Sequence, residues 1–145
     1  MSNTHASVLV HCVFSTKQRA NLIPAPAALW RYLAVVARDK NITLLAAGGT
    51  ANHVHLLLAV PPVLPVATAM RELKAHSSRW LREHGPRFAW QEGYGAFSVS
   101  QAQRQVVMDY IAAQAEHHAK WSFEQEFITL LRKSGVEYDP RFVFG

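Results

Sequence analysis

The sequence predicts an α+β domain in which helices pack on a four-stranded antiparallel sheet. Three observations carry this. Apolar runs of strand length and amphipathic runs of helix length alternate in the order strand, helix, strand, strand, helix, strand. The second and third strands are separated only by Gly48-Gly49-Thr50-Ala51-Asn52, a glycine-rich turn that marks a hairpin. Further helices follow the fourth strand. That order is the split βαβ plan of a ferredoxin-like sandwich, the plan of RNA-recognition modules too. At 145 residues the chain makes one domain, spanning 1–145.

Ser7 to Ser15, with Val8, Val10, Val13 and Phe14, reads as the first strand and contains His11 and Cys12. Lys17, Gln18 and Arg19 form a basic loop at its end. Pro24 and Pro26 open a helix, since proline suits a first turn whose N–H groups have no helical partner. Leu29, Leu33, Val36 and Ala37 form its buried stripe, and Asp39-Lys40-Asn41 stops it. Ile42 to Ala47 is the second strand. His53-Val54-His55-Leu56-Leu57-Leu58 leads the third, and Pro61-Pro62 ends it. A long helix runs from about Leu64 to His84, with Val66, Met70, Leu73, Trp80 and Leu81 inward, and Gly85-Pro86 terminates it. Tyr94 to Ser100 is the fourth strand. Ser100 caps one helix from Gln101 to about Lys120, and Ser122 caps another through Arg132, with Glu124 and Glu126 in its first turn. Trp30 and Trp80 are assigned to core packing or a dimer contact.

Composition narrows the function. Half the residues are apolar and 17% are charged, as in ordinary globular proteins. Lys plus Arg is 15 against 10 for Asp plus Glu, so the net charge of +5 permits a polyanionic partner without demanding one. A single cysteine, Cys12, rules out a disulfide framework and a cysteine-rich zinc site. The longest stretch without Asp, Glu, Lys or Arg, Asn41 to Met70, is broken by glycines, histidines and prolines, so no membrane helix is expected. No secretion signal is legible at the N-terminus, and a cytoplasmic location is the expectation.

Two constellations could carry chemistry. His53 and His55 lie at i and i+2 on one strand, so they share a face while Val54, Leu56 and Leu58 share the other. Two imidazoles on one face could hold a metal ion, or both could be satisfied core histidines. Tyr110 and Gln114, four residues apart on a helix, share a face that Val106 and Val107 flank. His117 continues that line and His118 lies just off it. A tyrosine hydroxyl bonded within a core would give the same pattern. Taken together, a divalent ion held by His53, His55 and the Gln114 carbonyl oxygen could polarise a phosphodiester for attack by Tyr110, leaving a covalent phosphotyrosine. Neutral nitrogen and oxygen ligands suit Mg²⁺ or Mn²⁺.

The chain then resembles the HUH-type single-tyrosine transposases, the insertion-sequence 200/605 (IS200-like) family. His53-Val54-His55 within Asn-His-Val-His-Leu-Leu matches the family's His-hydrophobic-His motif. The resemblance extends over Phe14 to Arg19, Leu73 to Leu81, Trp90 to Ser100, and Tyr110 to Gln114 with His117-His118. It implies a ferredoxin-like homodimer that cuts and rejoins single-stranded DNA at mobile-element ends, with no membrane partner and no nucleotide cofactor. By position it implies His53, His55 and Gln114 as metal ligands and Tyr110 as the nucleophile of a 5′-phosphotyrosine, on DNA that forms hairpins. Lys17, Arg19, Arg71, Lys74 and Arg79 fit phosphate contacts, and Trp90, Tyr94 and Phe97 could stack on unpaired bases. The competing readings are a non-catalytic single-strand-binding module, a nuclease that uses water with Tyr110 structural, and a relative recruited to a host role.

Overall fold

The computed structural model describes residues 3–85 and 87–145. Pro86, expected to help end the long helix, lies outside them. The described elements are β1 (Leu9–Ser15), α1 (Pro26–Asp39), β2 (Thr43–Thr50), β3 (His53–Ala59), α2 (Val66–Arg82), β4 (Gly95–Val99), α3 (Arg104–Ala112), α4 (Gln114–His117) and α5 (Phe123–Lys133). Single 3₁₀ turns cover Lys17–Arg19 and Gln101–Gln103. The sheet runs β2-β3-β1-β4 with antiparallel neighbours, the ferredoxin-like arrangement that the element order predicts.

Alternation along the strands builds two different faces. On one, Val10, Cys12 and Phe14 of β1 and Val54, Leu56 and Leu58 of β3 are buried against α1 and α2. All four stripe residues of α1 are buried there, and Asn41 ends that segment at φ 61°, a left-handed conformation that asparagine tolerates. Each such leucine stabilises the fold by about 1.5–3 kcal/mol, so this all-apolar face is the main source of stability. Met70, Leu73 and Leu81 of α2 are buried as expected, while Val66 and Trp80 are only partly so. Trp80 stacks on Tyr32 with centroids 4.8 Å apart, and Trp30 also packs against this core.

The other face of β1 and β3 interrupts its apolar residues with His11, His53 and His55. It is covered by α3, α4, α5 and the C-terminal tail. In the register, Val13 faces His55, Ser15 faces His53, and Phe97 faces His11. The histidine pair therefore shares one face, as the strand period requires.

Two expectations are corrected. Gly48 and Gly49 do not turn the chain; they pair with His55 and Val54, and β2 continues to Thr50. They are glycines because other atoms crowd the strand. A Cβ on Gly48 would collide with the Ile111 carbonyl of α3, and one on Gly49 would meet the His53 carbonyl, with a Trp30 ring atom at 3.2 Å. The helix predicted from Gln101 to about Lys120 is not continuous. Its first turn is 3₁₀, capped by Ser100, whose Oγ accepts from the Gln103 N–H at 3.3 Å. It then breaks at Ala113 (φ −93°, ψ 15°), between Tyr110 and Gln114.

Candidate active site

The site lies beneath α3–α5, where the polar end of β3 meets three helices. β3 delivers His53 and His55, both fully buried, and β1 places His11 beside them. α3 brings Tyr110. Gln114 begins α4 and is 1% exposed, too little for a surface amide. α5 brings a residue that the sequence pattern does not single out as part of a site: Glu126, fully buried at the centre of the cluster.

The Glu126 carboxylate is saturated. Its Oε1 accepts from His55 Nε2 at 2.9 Å and from His118 Nε2 at 3.0 Å. Its Oε2 accepts from Gln114 Nε2 at 2.9 Å and from the Tyr110 hydroxyl. Four donors match the roughly four lone-pair sites of a carboxylate. Burial alone would raise the Glu126 pKa; hydrogen bonds from His55, Tyr110 and Gln114 outweigh it and hold the carboxyl below its usual range. Burial and the bond to Glu126 push Tyr110 up, so its hydroxyl keeps its proton.

The histidine tautomers follow from their partners. His53 Nδ1–H donates to Asn52 Oδ1 at 2.8 Å, an oxygen oriented by the Asn52 Nδ2 bond to the Arg19 carbonyl at 3.3 Å. His53 Nε2 is left with a lone pair, yet it faces Gln114 Oε1 at 2.8 Å. Turning the Gln114 amide over would bring its oxygen against Glu126 Oε2 instead. That clash of acceptors disappears if His53 takes its other tautomer, with Nε2–H donated to Gln114 Oε1 and Nδ1 accepting from the Thr50 hydroxyl at 3.0 Å, or if a second proton or a cation lies between the two acceptors. A second proton is disfavoured, because burial and the neighbouring His55 lower His53 to about 3. A cation fits: His53, His55 and Glu126 offer ligand atoms within 4.8 Å of one another, and Gln114 adds an amide oxygen. His11 Nε2 lies 2.8 Å from His55 Nδ1. While His55 Nε2–H is bonded to Glu126, that Nδ1 accepts from His11; with an ion on Nε2 the proton would sit on Nδ1 and be donated to His11, the outer bond that orients an imidazole ligand.

Burial lowers His11 to about 3 as well. Below the ordinary value of 6.5 the unfolded chain takes up protons at these histidines that the folded chain refuses. In protein kept free of divalent cations, stability should be complete above that value and fall as the pH approaches 3. The loss is up to about 1.4 kcal/mol per pH unit for each histidine. Glu126, whose pKa is lowered, adds to the loss at the acid end. Thermal melting followed from about pH 7.5 down to about pH 4 spans most of that window and checks this. An invariant midpoint would mean that the histidines charge freely.

The structure thus brings Tyr110, His53, His55 and Gln114 together. It adds Glu126, His118 and His11. His117, expected on the inward line, is exposed, with its ring 4.9 Å from that of Tyr110. Val106 is 62% exposed and does not flank a buried face. The signal for Glu126 is its spacing: Phe123, Glu126, Phe127 and Leu130 fall at i, i+3, i+4 and i+7, which puts an acid on the apolar stripe of α5.

The predicted DNA contacts divide. Lys17 is exposed at the end of β1. Arg19 donates to the Phe144 carbonyl at 3.0 Å and lies over that ring, tying the tail to the β1 loop. Gln18 and Arg19 both have positive φ, a strained pair held from below by Asn52. Arg71 and Arg79 are exposed on α2, across the sheet from Tyr110, and Arg79 donates to His76 at 3.0 Å. Lys74 donates to the Gln91 and Gly93 carbonyls at 2.8 and 2.7 Å, and burial lowers its pKa. Of the three aromatics expected to stack on bases, Tyr94 is 40% exposed. Trp90 is instead bonded to Ser77 at 3.0 Å and packed edge-on to Phe14 and Phe88, while Phe97 is buried beside His11.

Comparison with known proteins gives a consistent set. A family model described as "Transposase IS200 like" matches residues 4–114. The transposases for insertion sequence element IS200 of Salmonella typhimurium and Salmonella typhi are each 29% identical over 126 residues, covering 80% of this chain and 82% of the relative. A candidate transposase from Deinococcus radiodurans R1 superimposes with a TM-score of 0.63 at 23% identity, over 77% of this chain and 93% of that one. A REP-associated tyrosine transposase bound to a REP hairpin gives a TM-score of 0.62 at 17% identity, over 84% of this chain and 76% of that one. These two structures share the fold.

Proposed function

Because the chain belongs to the IS200-like transposase family, we propose that it cleaves and rejoins single-stranded DNA, with Tyr110 as the nucleophile. The observation that carries this reading is the convergence of the Tyr110 hydroxyl, His55, His118 and the Gln114 amide on the buried Glu126 carboxylate, with His53 against the same amide. Tyr110 Oη attacks phosphorus as the bond to the 3′ oxygen breaks; its proton leaves along the hydrogen bond to Glu126 Oε2 and is passed on to the departing 3′ oxygen. The products are a 5′-phosphotyrosine and a free 3′-hydroxyl. A later 3′-hydroxyl attacks the phosphotyrosine and regenerates Tyr110, so no nucleotide cofactor is consumed. His53, His55 and Gln114 would hold a divalent ion, Mg²⁺ or Mn²⁺, with Glu126 in reach as a further oxygen donor. When bound, that ion supplies charge neutralisation at the phosphate. Asn52 and His11 keep the two imidazoles oriented.

On this reading Lys17 and Arg19 meet the strand near the His53 end of the site. Arg71, Lys74 and Arg79 make a second contact across the sheet, suited to a hairpin stem; the REP-hairpin complex of the structural neighbour supports such a substrate. The protein acts in the cytoplasm, and no helix among the described residues is long and apolar enough to cross a membrane. It works as a homodimer, because β2 and β4 leave open sheet edges. Sedimentation as a monomer at micromolar concentration, with cleavage intact, would remove the dimer from the proposal.

The deciding experiment is to trap a covalent protein–DNA adduct on single-stranded hairpin DNA and map it. Attachment at Tyr110 supports the reading; cleavage without an adduct favours attack by water. A second outcome concerns the metal. His53→Ala or His55→Ala should weaken Mn²⁺ binding by roughly ten-fold or more in calorimetry and abolish cleavage. Equal affinity in mutant and wild type would return the pair to a purely structural role.

A further inference from the structure

Trp121 stands apart from the other tryptophans. Trp30 and Trp80 pack against the core and Trp90 is bonded within it. Trp121 is 43% exposed, and no hydrogen bond or ring contact engages its side chain among the described residues. It lines two grooves that reach the cluster around Glu126. One, of about 590 Å³, is lined by Tyr110, Glu116, His117, Lys120, Trp121 and Lys133. The other, of about 650 Å³, contains Arg19, Asn52 and His118. Both volumes are within the range of small-ligand sites, about 300–1,000 Å³. The first is the more telling, because the ring of the nucleophile forms part of its wall.

The charges there are arranged for a polyanion. Lys120 and Lys133 are exposed, and no ion pair or hydrogen bond engages either side chain among the described residues. Glu116 is the one acidic side chain in the groove's lining among the described residues. Arg19, Lys40, Lys74, Arg79 and Arg141, by contrast, have partners within the chain. An exposed indole flanked by unpartnered lysines is the combination that binds single strands, with a π-face for a base and cations for the phosphates.

We propose that this groove receives the single-stranded DNA flanking the attacked phosphate, with Trp121 as the stacking platform for an adjacent base and Lys120 and Lys133 on the phosphates of the same strand. The proposal rests on the reading of Tyr110 as nucleophile and assigns the strand a path along α4 to the C-terminal end of α5. None of these three residues belongs to the metal cluster or to the basic set on α2.

The test uses the whole 145-residue chain carrying Tyr110→Phe, so that the strand stays intact. Its probe is a hairpin-free single strand of about ten nucleotides, within the usual size of one single-strand site, followed by fluorescence anisotropy. Trp121→Ala should weaken binding roughly ten-fold, with Trp121→Phe restoring most of it, since stacking is lost and regained. Lys120→Ala with Lys133→Ala should flatten the dependence of log affinity on log salt by about 1.4, or about 0.7 for each phosphate no longer neutralised. Unchanged affinity and slope would overturn the proposal. So would a Trp121→Ala protein whose oligomeric state changes while its DNA affinity does not, because the indole would then serve a second copy of the chain. The outcomes separate from those of the catalytic reading. An adduct at Tyr110 with no Trp121 effect would sink the groove alone, and a Trp121 effect without any adduct would sink the nucleophile alone.

Discussion

Tyr110→Phe is expected to reduce strand cleavage by roughly four orders of magnitude or more while leaving hairpin binding nearly unchanged. On the proposed reading the substitution deletes the attacking oxygen; it keeps the ring, which contacts His11, His55 and His117. It also removes one of the four donors on Glu126, a charge-assisted bond worth about 1.5–3 kcal/mol, so the midpoint of unfolding should fall modestly. Single-turnover cleavage, with binding measured in parallel, checks the expectation. Cleavage near the wild-type rate would assign Tyr110 to the core and water to the attack.

The second large effect is structural and originates one layer away. Gly48→Ala places a methyl group against the Ile111 carbonyl, and neither β2 nor α3 can give way as a flexible side chain would. Overpacking of this kind costs about 1–3 kcal/mol, and more when backbone must move. In a domain of this size that corresponds to a loss of about 3–10 °C in melting temperature. Cleavage should fall further than stability, because Ile111 follows Tyr110 and any retreat of α3 draws the hydroxyl away from Glu126. Gly85→Ala is the control: its Cβ would meet only the Leu81 carbonyl oxygen, at 3.9 Å, and should change stability by less than about 0.5 kcal/mol. Equal effects from the two substitutions would remove the special role given to Gly48.

The sheet is readable in the sequence because its strands carry strong periodic signals. The four stripe residues of α1 and the shared face of His53 and His55 need only the helix and strand periods. What local pattern leaves open depends on register and on neighbours distant in sequence. Gly48 and Gly49 look like a turn until α3 is known to cross the strand. Phe97 looks like a stacking surface until it is found opposite His11. Glu126 reads as a complement to the dipole of α5, and the capping box of Ser122 and Gln125 does place it in that first turn. Its inward direction follows from the helix phase set by Phe123 and Phe127. Its partners, which lie 8 to 71 residues away, are beyond the reach of local pattern.

The two sides of the sheet have unequal cohesion. α1 and α2 sit on an unbroken apolar surface, whereas the helices over the histidines rest on small hydrophobic clusters separated by buried polar groups. Opening α3–α5 as a unit therefore costs less free energy than unfolding the sheet with α1 and α2. Amide exchange should register this as earlier loss of protection in residues 104–133 than in β1 and β3. The layer that carries the candidate site is then also the one able to detach transiently, and on the proposed reading that lets a strand reach Tyr110 while the rest of the domain stays folded.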